Sequence, residues 1–124
     1  MSTKIFSNAD DNVVFDVTPD TNPVLITIVI GEGQIGGSSI MVDSTIIINP
    51  EPVIAFSIGN GNDIQWKILH MTTTVSKYSP SDFASVIVTI SQGGSKQSFW
   101  NKDSFTSDGQ TYDKIIFSLS YLLV

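Results

Sequence analysis

The chain has 124 residues, a length that suits one domain with a single continuous core. Hydrophobic residues make up 41% of it and charged residues only 15%, as in a folded β protein, and the absence of cysteine excludes disulfides, a thiolate nucleophile and a cysteine-based metal site. The net charge is −6, and all six cationic residues are lysines. This negative charge opposes binding to nucleic acid or to anionic lipid.

The first segments alternate between apolar and polar residues, as strands with one buried side do. Residues 4–7 form a predicted short edge strand, and residues 12–18 place Val13, Phe15 and Val17 on one face of the next strand. The N-terminal residues lack an apolar region, and no apolar run approaches the roughly 18 residues of a membrane span. We therefore expect no transmembrane segment and no ordinary export signal, which fits a cytoplasmic protein or one exported by a non-classical route.

The stretch that follows Pro23 has two incompatible interpretations. In the first, residues 24–30 are a buried parallel strand, and Gly31, Gly33 and Gly36 form a G-x-G-x-x-G turn before a helix. Glu51 would then be the ribose-binding carboxylate of a dinucleotide site. In the second interpretation, the glycines are only a loop between two antiparallel strands.

We prefer the second interpretation because residues 35–45 make a poor helix, with two glycines and several hydroxyl and β-branched residues. A pyrophosphate needs a helix N-terminus. As a strand, the segment is orderly, and one of its faces carries Ser38, Ile40, Val42, Ser44, Ile46 and Ile48. The preceding strand, residues 24–30, is apolar on both faces except at Thr27, so we expect it to be covered on both sides or to meet another subunit.

The middle of the chain contains two more predicted strands. The first, residues 53–58, places Ile54, Phe56 and Ile58 on one face. The adjacent Asn60 and Gly61 predict a hairpin turn over residues 59–62. The second strand, residues 64–75, places Ile64, Trp66, Ile68 and His70 on one face.

Three strands are predicted in the last third. A loop with one helical turn over residues 81–84 leads to strand 84–91, whose inward face carries Val86, Val88 and Ile90. Residues 92–95 turn the chain into strand 96–100. The final strand, residues 111–124, places Ile115, Phe117, Leu119, Tyr121 and Leu123 on one face.

Together these segments predict an all-β protein of about eight to nine strands without significant helix, folded as one domain over residues 1–124. We expect an antiparallel β-sandwich or a jelly roll, with a closed barrel less favoured. The residues expected in the core include Ile26, Ile28, Phe56, Ile68, Val88 and Phe117.

The sequence offers little support for catalysis. His70 is the only histidine, so a Ser-His-Asp or histidine-metal mechanism must use it, but it shares a predicted face with apolar residues and no catalytic motif surrounds it. No spacing of the aspartates singles out a carboxylate pair for glycoside hydrolysis. We expect a non-catalytic protein with no cofactor.

Two functions remain. In the first, the protein is a structural or self-assembling module that forms a homo-oligomer or binds a protein partner. Its apolar strand faces and edges would make the contacts, through residues Leu25, Thr27, Val29, Leu122 and Val124.

The alternative is a carbohydrate-binding, lectin-like module. Aromatic rings can stack on sugars while Asp and Asn bind the hydroxyls, and suitable loop residues are Trp100, Asn101, Asp103, Asp108 and Tyr112. Calcium could assist, because hard cations take oxygen ligands. Its candidate ligands are Asp103, Asp108 and Asp113, or Asn60, Asn62 and Asp63.

Overall fold

A computed structural model describes residues 2–8, 13–47 and 52–124. Within these ranges the chain forms twelve strands and one single-turn helix. In chain order they are β1 Thr3–Ser7, β2 Val14–Phe15, β3 Pro23–Ile30, β4 Ile35–Val42, β5 Thr45–Ile46, β6 Phe56–Asn60, α1 Gly61–Ile64, β7 Ile68–Ser76, β8 Phe83–Gln92, β9 Ser95–Ser104, β10 Thr106–Ser107, β11 Gln110–Thr111 and β12 Lys114–Leu123. Glu51, Ile48 and Asn49 lie outside the described residues.

Two sheets pack face to face around one core, which confirms the predicted all-β sandwich. Sheet A has the order β1-β12-β7-β4-β5, with β2 also paired to β12, and sheet B has the order β6-β3-β8-β9. Eight of the strands have five or more residues, and the remaining four are two-residue pairings, which accounts for the predicted eight to nine. No helix in the described ranges is long and apolar enough to cross a membrane.

The longest strands carry the core as predicted. Every second residue of β12, from Ile115 to Leu123, is buried, and so are Val86, Val88 and Ile90 of β8. The β3 residues Val24, Ile26 and Ile28 are buried on the same face of sheet B as these β8 residues, on the neighbouring strand. In β3, β8 and β12, strict alternation therefore identified the buried faces correctly.

The N-terminal segment runs parallel to the C-terminal strand along one edge of sheet A. β1 pairs with residues 114–118, and β2 pairs with Leu122 and Leu123. Between them, the buried Asn8 side chain accepts a hydrogen bond from the Ser120 N–H at 2.7 Å and donates one to the Ser120 carbonyl oxygen at 3.2 Å. The carboxamide thus bonds both backbone groups of Ser120, which lies between the β12 residues paired with β1 and those paired with β2.

The predicted faces of the 64–75 segment are wrong. Trp66 has a left-handed backbone with φ of 71°, so the alternation restarts after it and β7 begins at Ile68 with the opposite phase. Leu69, Met71, Thr73 and Val75 are buried, whereas Ile68, which was expected in the core, is 48% exposed. A shift of one residue moves every side chain of a strand to the other face.

Two further left-handed residues explain two more errors. Asp43, at φ of 52°, lies in a turn that ends β4 and starts β5, so Ile46 is exposed instead of continuing the buried face of Ile40 and Val42. Ala55, at φ of 46°, shifts the segment before β6, so that Val53 is buried and Ile54 is exposed.

The predicted hairpin at residues 59–62 and the predicted helical turn at residues 81–84 are also wrong. β6 continues through Asn60, and the single turn α1 follows it. Gly61 is buried against the loop that precedes β3, where its N–H donates to the Asn22 carbonyl oxygen at 3.1 Å. Tertiary contacts therefore override the local turn preference of the Asn-Gly pair.

Candidate functional site

The outward face of sheet B carries a row of apolar side chains in direct register. Val29 of β3 pairs with Ile87 of β8, which pairs with Trp100 of β9. Directly paired residues share one face of a sheet, so these three side chains lie side by side. Val29 is 49% exposed and Trp100 is 74% exposed. We call Val29, Ile87 and Trp100 the Trp100 row.

Polar and cationic residues surround this row. Thr27, Thr89 and Ser98 form the adjacent row, where the Thr89 and Ser98 hydroxyls lie 2.9 Å apart. On β9 the outward positions on either side of Trp100 include Lys96 and Lys102. The outward positions of β3, β8 and β9 hold no carboxylate, which is unusual for a chain of net charge −6.

The sequence predicts that the second apolar face of β3, with Leu25, Thr27 and Val29, is covered by a loop, a terminal segment or another chain. A segment does run beside β3, since the Ile28 N–H donates to the Val53 carbonyl oxygen and the Ala55 N–H to Thr27 Oγ1. It leaves Val29 half exposed. Within the described part of one subunit, this face is therefore open.

Leu122 and Val124 lie on the other sheet. Leu122 is half exposed on the outward face of sheet A, where it pairs with Val14 of β2 and Ile68 of β7. We call Val14, Leu122 and Ile68 the Leu122 row. Val124 is held by its backbone, donating to the Phe15 carbonyl oxygen and accepting from the Val17 N–H. The five residues proposed for self-association thus divide between two opposite faces.

The five residues predicted to bind sugar do not converge. Trp100 and Asn101 are neighbours on one strand and point to opposite faces, and the buried Asn101 Nδ2 donates to the Val86 carbonyl oxygen at 3.2 Å. Asp103 forms an ion pair with Lys4 at 3.0 Å. Asp108 lies in the exposed turn between β10 and β11, which pair with each other and not with sheet B.

The fifth residue, Tyr112, lines an open cleft of about 830 Å³. The cleft also contains Tyr78 from the loop between β7 and β8, which is 75% exposed, and the carboxylate residue Asp113. Lys77 borders it, but its Nζ already donates to the Ser79 and Ser81 carbonyl oxygens at 3.0 and 2.6 Å. The cleft therefore presents two phenol rings and oxygen groups, with its lysine already engaged.

Gln34 holds the loop that carries Tyr78, a role that no pattern in the sequence indicates. Its buried Oε1 accepts hydrogen bonds from the Tyr78 and Ser79 N–H groups at 2.7 and 2.9 Å. Its Nε2 donates to the Ser81 and Phe83 carbonyl oxygens, both at 3.1 Å. One side chain thus satisfies four backbone groups of the loop that carries Tyr78.

His70 lies half buried on the outward face of sheet A. Its Nδ1 is 2.9 Å from Ser120 Oγ, and its pairing partners across the sheet are Met41 and Ser120. The contact with Ser120 fits a structural histidine that is held by a hydrogen bond. In a catalytic triad, one ring nitrogen would contact the nucleophile and the other would contact an acid. Its structural role remains a prediction.

The calcium sites remain predictions as well. Within residues 2–8, 13–47 and 52–124, no three His, Cys, Asp or Glu side chains are grouped closely enough to hold a metal ion. Asp103 is engaged with Lys4, and Asp63 belongs to the exposed part of α1. Calcium binding would have to recruit carbonyl or amide oxygens as well as carboxylates.

The architecture of this chain is that of a two-layer β-sandwich with a partly exposed apolar row on the outward face of each sheet. Comparison with protein-family models, with curated protein sequences and with solved structures gives no significant match. Its function must therefore be argued from the chemistry of its surfaces.

Proposed function

We propose that this chain is a non-catalytic, self-associating β-sandwich module whose copies meet through the outward face of sheet B. The observation that carries the proposal is the Trp100 row, three large apolar side chains in register across three strands. A contiguous exposed patch of this kind on a soluble domain is typical of an interaction site. Tryptophan is also among the residues that contribute most to the binding energy of interfaces.

Charge supports a second copy of the chain as the occupant. Because the protein has a net charge of −6, most approaches between two copies bring carboxylates together. The outward positions of β3, β8 and β9 carry only lysines as charged residues, so contact of this face with an acidic surface of a second copy replaces that repulsion with attraction.

Face packing is favoured over pairing of strand edges. β9 is the edge strand of sheet B, and its Lys96 and Lys102 are the kind of residues that prevent edge-to-edge pairing. Both lysines have long apolar stems that can lie over a neighbouring surface while their charged groups stay in water. The lysines therefore block an added strand but permit a packed face.

The double variant Leu25→Lys with Val29→Lys tests this proposal. It places two charges on the open face, and burying them in an interface costs several kcal/mol, so we expect folded monomers. Static light scattering should give a lower mass than for the wild type, with an unchanged far-UV spectrum. The matched control is Ile5→Lys with Ile35→Lys, which adds the same charge at two exposed isoleucines of sheet A and should leave the mass unchanged. An unchanged mass for the Leu25/Val29 variant contradicts the proposal.

A second candidate function is carbohydrate binding, which the cleft between Tyr78 and Tyr112 favours. The rings of Tyr78 and Tyr112 could stack on the apolar faces of a sugar. In this second proposal the sugar binds at the loops near β11, and Trp100 takes no part because it does not line the cleft.

The variants Tyr112→Ala and Trp100→Ala distinguish the two aromatic positions. If the cleft binds sugar, Tyr112→Ala should weaken the binding found on a glycan array by about 1 to 3 kcal/mol, the usual cost of truncating an anchoring aromatic residue. Trp100→Ala should leave it unchanged, because Trp100 does not line the cleft. Weaker binding for Trp100→Ala alone would instead place the sugar on the outward face of sheet B. The array should be run with and without calcium.

A further inference from the structure

The Leu122 row on sheet A matches the Trp100 row on sheet B in width and in character. Val14, Leu122 and Ile68 occupy three adjacent strands in direct register, as Val29, Ile87 and Trp100 do. Each row therefore spans about 10 Å across its sheet, given the usual spacing of strands. All three side chains of the Leu122 row are partly exposed.

The charges beside the two rows are opposite. Asp16 follows Val14 on the same side of its segment, and both Val14 and Asp16 are exposed. Asp43 lies across from Ile68, where its Oδ1 accepts from the Ile68 N–H at 2.9 Å and its own N–H donates to the Ile68 carbonyl oxygen. The cation nearest in sequence is Lys67, next to Ile68, so two carboxylates and one lysine belong to the segments of this row.

At the Trp100 row the balance is reversed. Lys96 is exposed and has no carboxylate partner within the described ranges, and Lys102 forms an exposed pair with Glu32 at 3.4 Å while its Nζ lies 4.7 Å from the centre of the Phe83 ring. Exposed ion pairs of this kind contribute little to stability, so the lysine can readily change to another carboxylate partner. One apolar row thus has a cationic border and the other an acidic border.

We infer that self-association is head to tail, with the Trp100 row of one copy packed on the Leu122 row of the next. This inference rests on the proposed function and names the partner surface. The two rows lie on opposite sheets of the sandwich, so each subunit presents one of each to different neighbours. A contact between two different patches produces a closed ring or an open filament, whereas a contact of one patch with its own copy stops at a dimer.

Complementation between two variants tests the inference. Val29→Lys disables the Trp100 row, and Leu122→Lys disables the Leu122 row, each by placing a charge among apolar side chains. Each variant alone should be monomeric, with the subunit affinity reduced about a hundredfold or more. An equimolar mixture should form heterodimers of twice the subunit mass, because each variant retains the row that the other has lost. Val14→Lys, at an exposed position of the same row, replaces Leu122→Lys if that variant fails to fold.

The possible outcomes separate the inference from the proposed function. If Leu122→Lys and Val14→Lys both associate as the wild type does, while Val29→Lys is monomeric, the sheet B face pairs with itself and the head-to-tail inference is wrong. A mixture of two monomeric variants that stays monomeric also contradicts it. A wild-type protein that is itself monomeric overturns the proposed function, and this inference with it.

Discussion

Replacing Gln34 by alanine is expected to lower the free energy of unfolding by about 3 kcal/mol. The substitution removes four hydrogen bonds at a buried position and leaves the Tyr78 and Ser79 N–H groups without the Gln34 acceptor, while the Ser81 carbonyl oxygen keeps its bond from Lys77 Nζ. Buried backbone groups that lose a partner carry most of this cost, since the cavity cannot supply one. Urea denaturation followed by circular dichroism measures the change.

The matched control is Gln97→Ala, on the edge strand β9. Gln97 is exposed, so its replacement should change the free energy of unfolding by less than about 0.5 kcal/mol. Because Gln34 also holds the loop of Tyr78, the Gln34 variant should reduce any sugar binding in the cleft. Equal free energies of unfolding for the two variants would show that the four hydrogen bonds of Gln34 make no net contribution to stability.

Gly61→Ala is expected to destabilise the fold by about 2 kcal/mol or more. Gly61 is packed so closely on the loop before β3 that an added Cβ would overlap the Thr18 carbonyl oxygen and Gln92 Nε2. Gln92 is buried and holds this loop, accepting from the Thr18 N–H at 2.8 Å and donating to the Thr18 and Asn22 carbonyl oxygens. Displacing either group disrupts this network, and the change appears as a lower thermal midpoint.

Gly94→Ala is the control for the glycine substitution. Gly94 lies in the turn between β8 and β9, where an added Cβ meets no atom within 4 Å and the backbone needs no left-handed conformation. Alanine there should be neutral or slightly stabilising, because it restricts the unfolded chain. A Gly61 variant as stable as the Gly94 variant would mean that the Thr18 loop moves away at no cost.

The sequence predicted the long strands well because their burial follows a strict two-residue period. β3, β8 and β12 are buried on the faces that alternation indicated, and residues 35–42 form a strand and not the helix of a dinucleotide site. Three of the errors occur where one residue, Trp66, Asp43 or Ala55, adopts a positive φ. Trp66 is the clearest case, since neither its type nor its neighbours indicate a left-handed backbone, and it reverses the faces of all that follows in β7.

The candidate surfaces were predictable only in part. The open face of β3 follows from Leu25, Thr27 and Val29 alone, because a strand that is apolar on both sides exceeds what one core needs. Ile87 and Trp100 lie beside Val29 because of the pairing register of β3, β8 and β9. That register depends on contacts between residues distant in sequence. Leu122 was predicted from the sequence, but the row around it was not. Strand register supplies Val14 and Ile68, and the sequence pattern had assigned Ile68 to the wrong face.

Sedimentation equilibrium of the unmodified protein over a wide concentration range tests the self-association most directly. The subunit mass is 13.4 kDa, and we expect the weight-average mass to rise with concentration to at least twice that value. Head-to-tail contact predicts a further rise beyond the dimer unless a small ring closes. A mass that remains at 13.4 kDa up to high concentration would contradict the account.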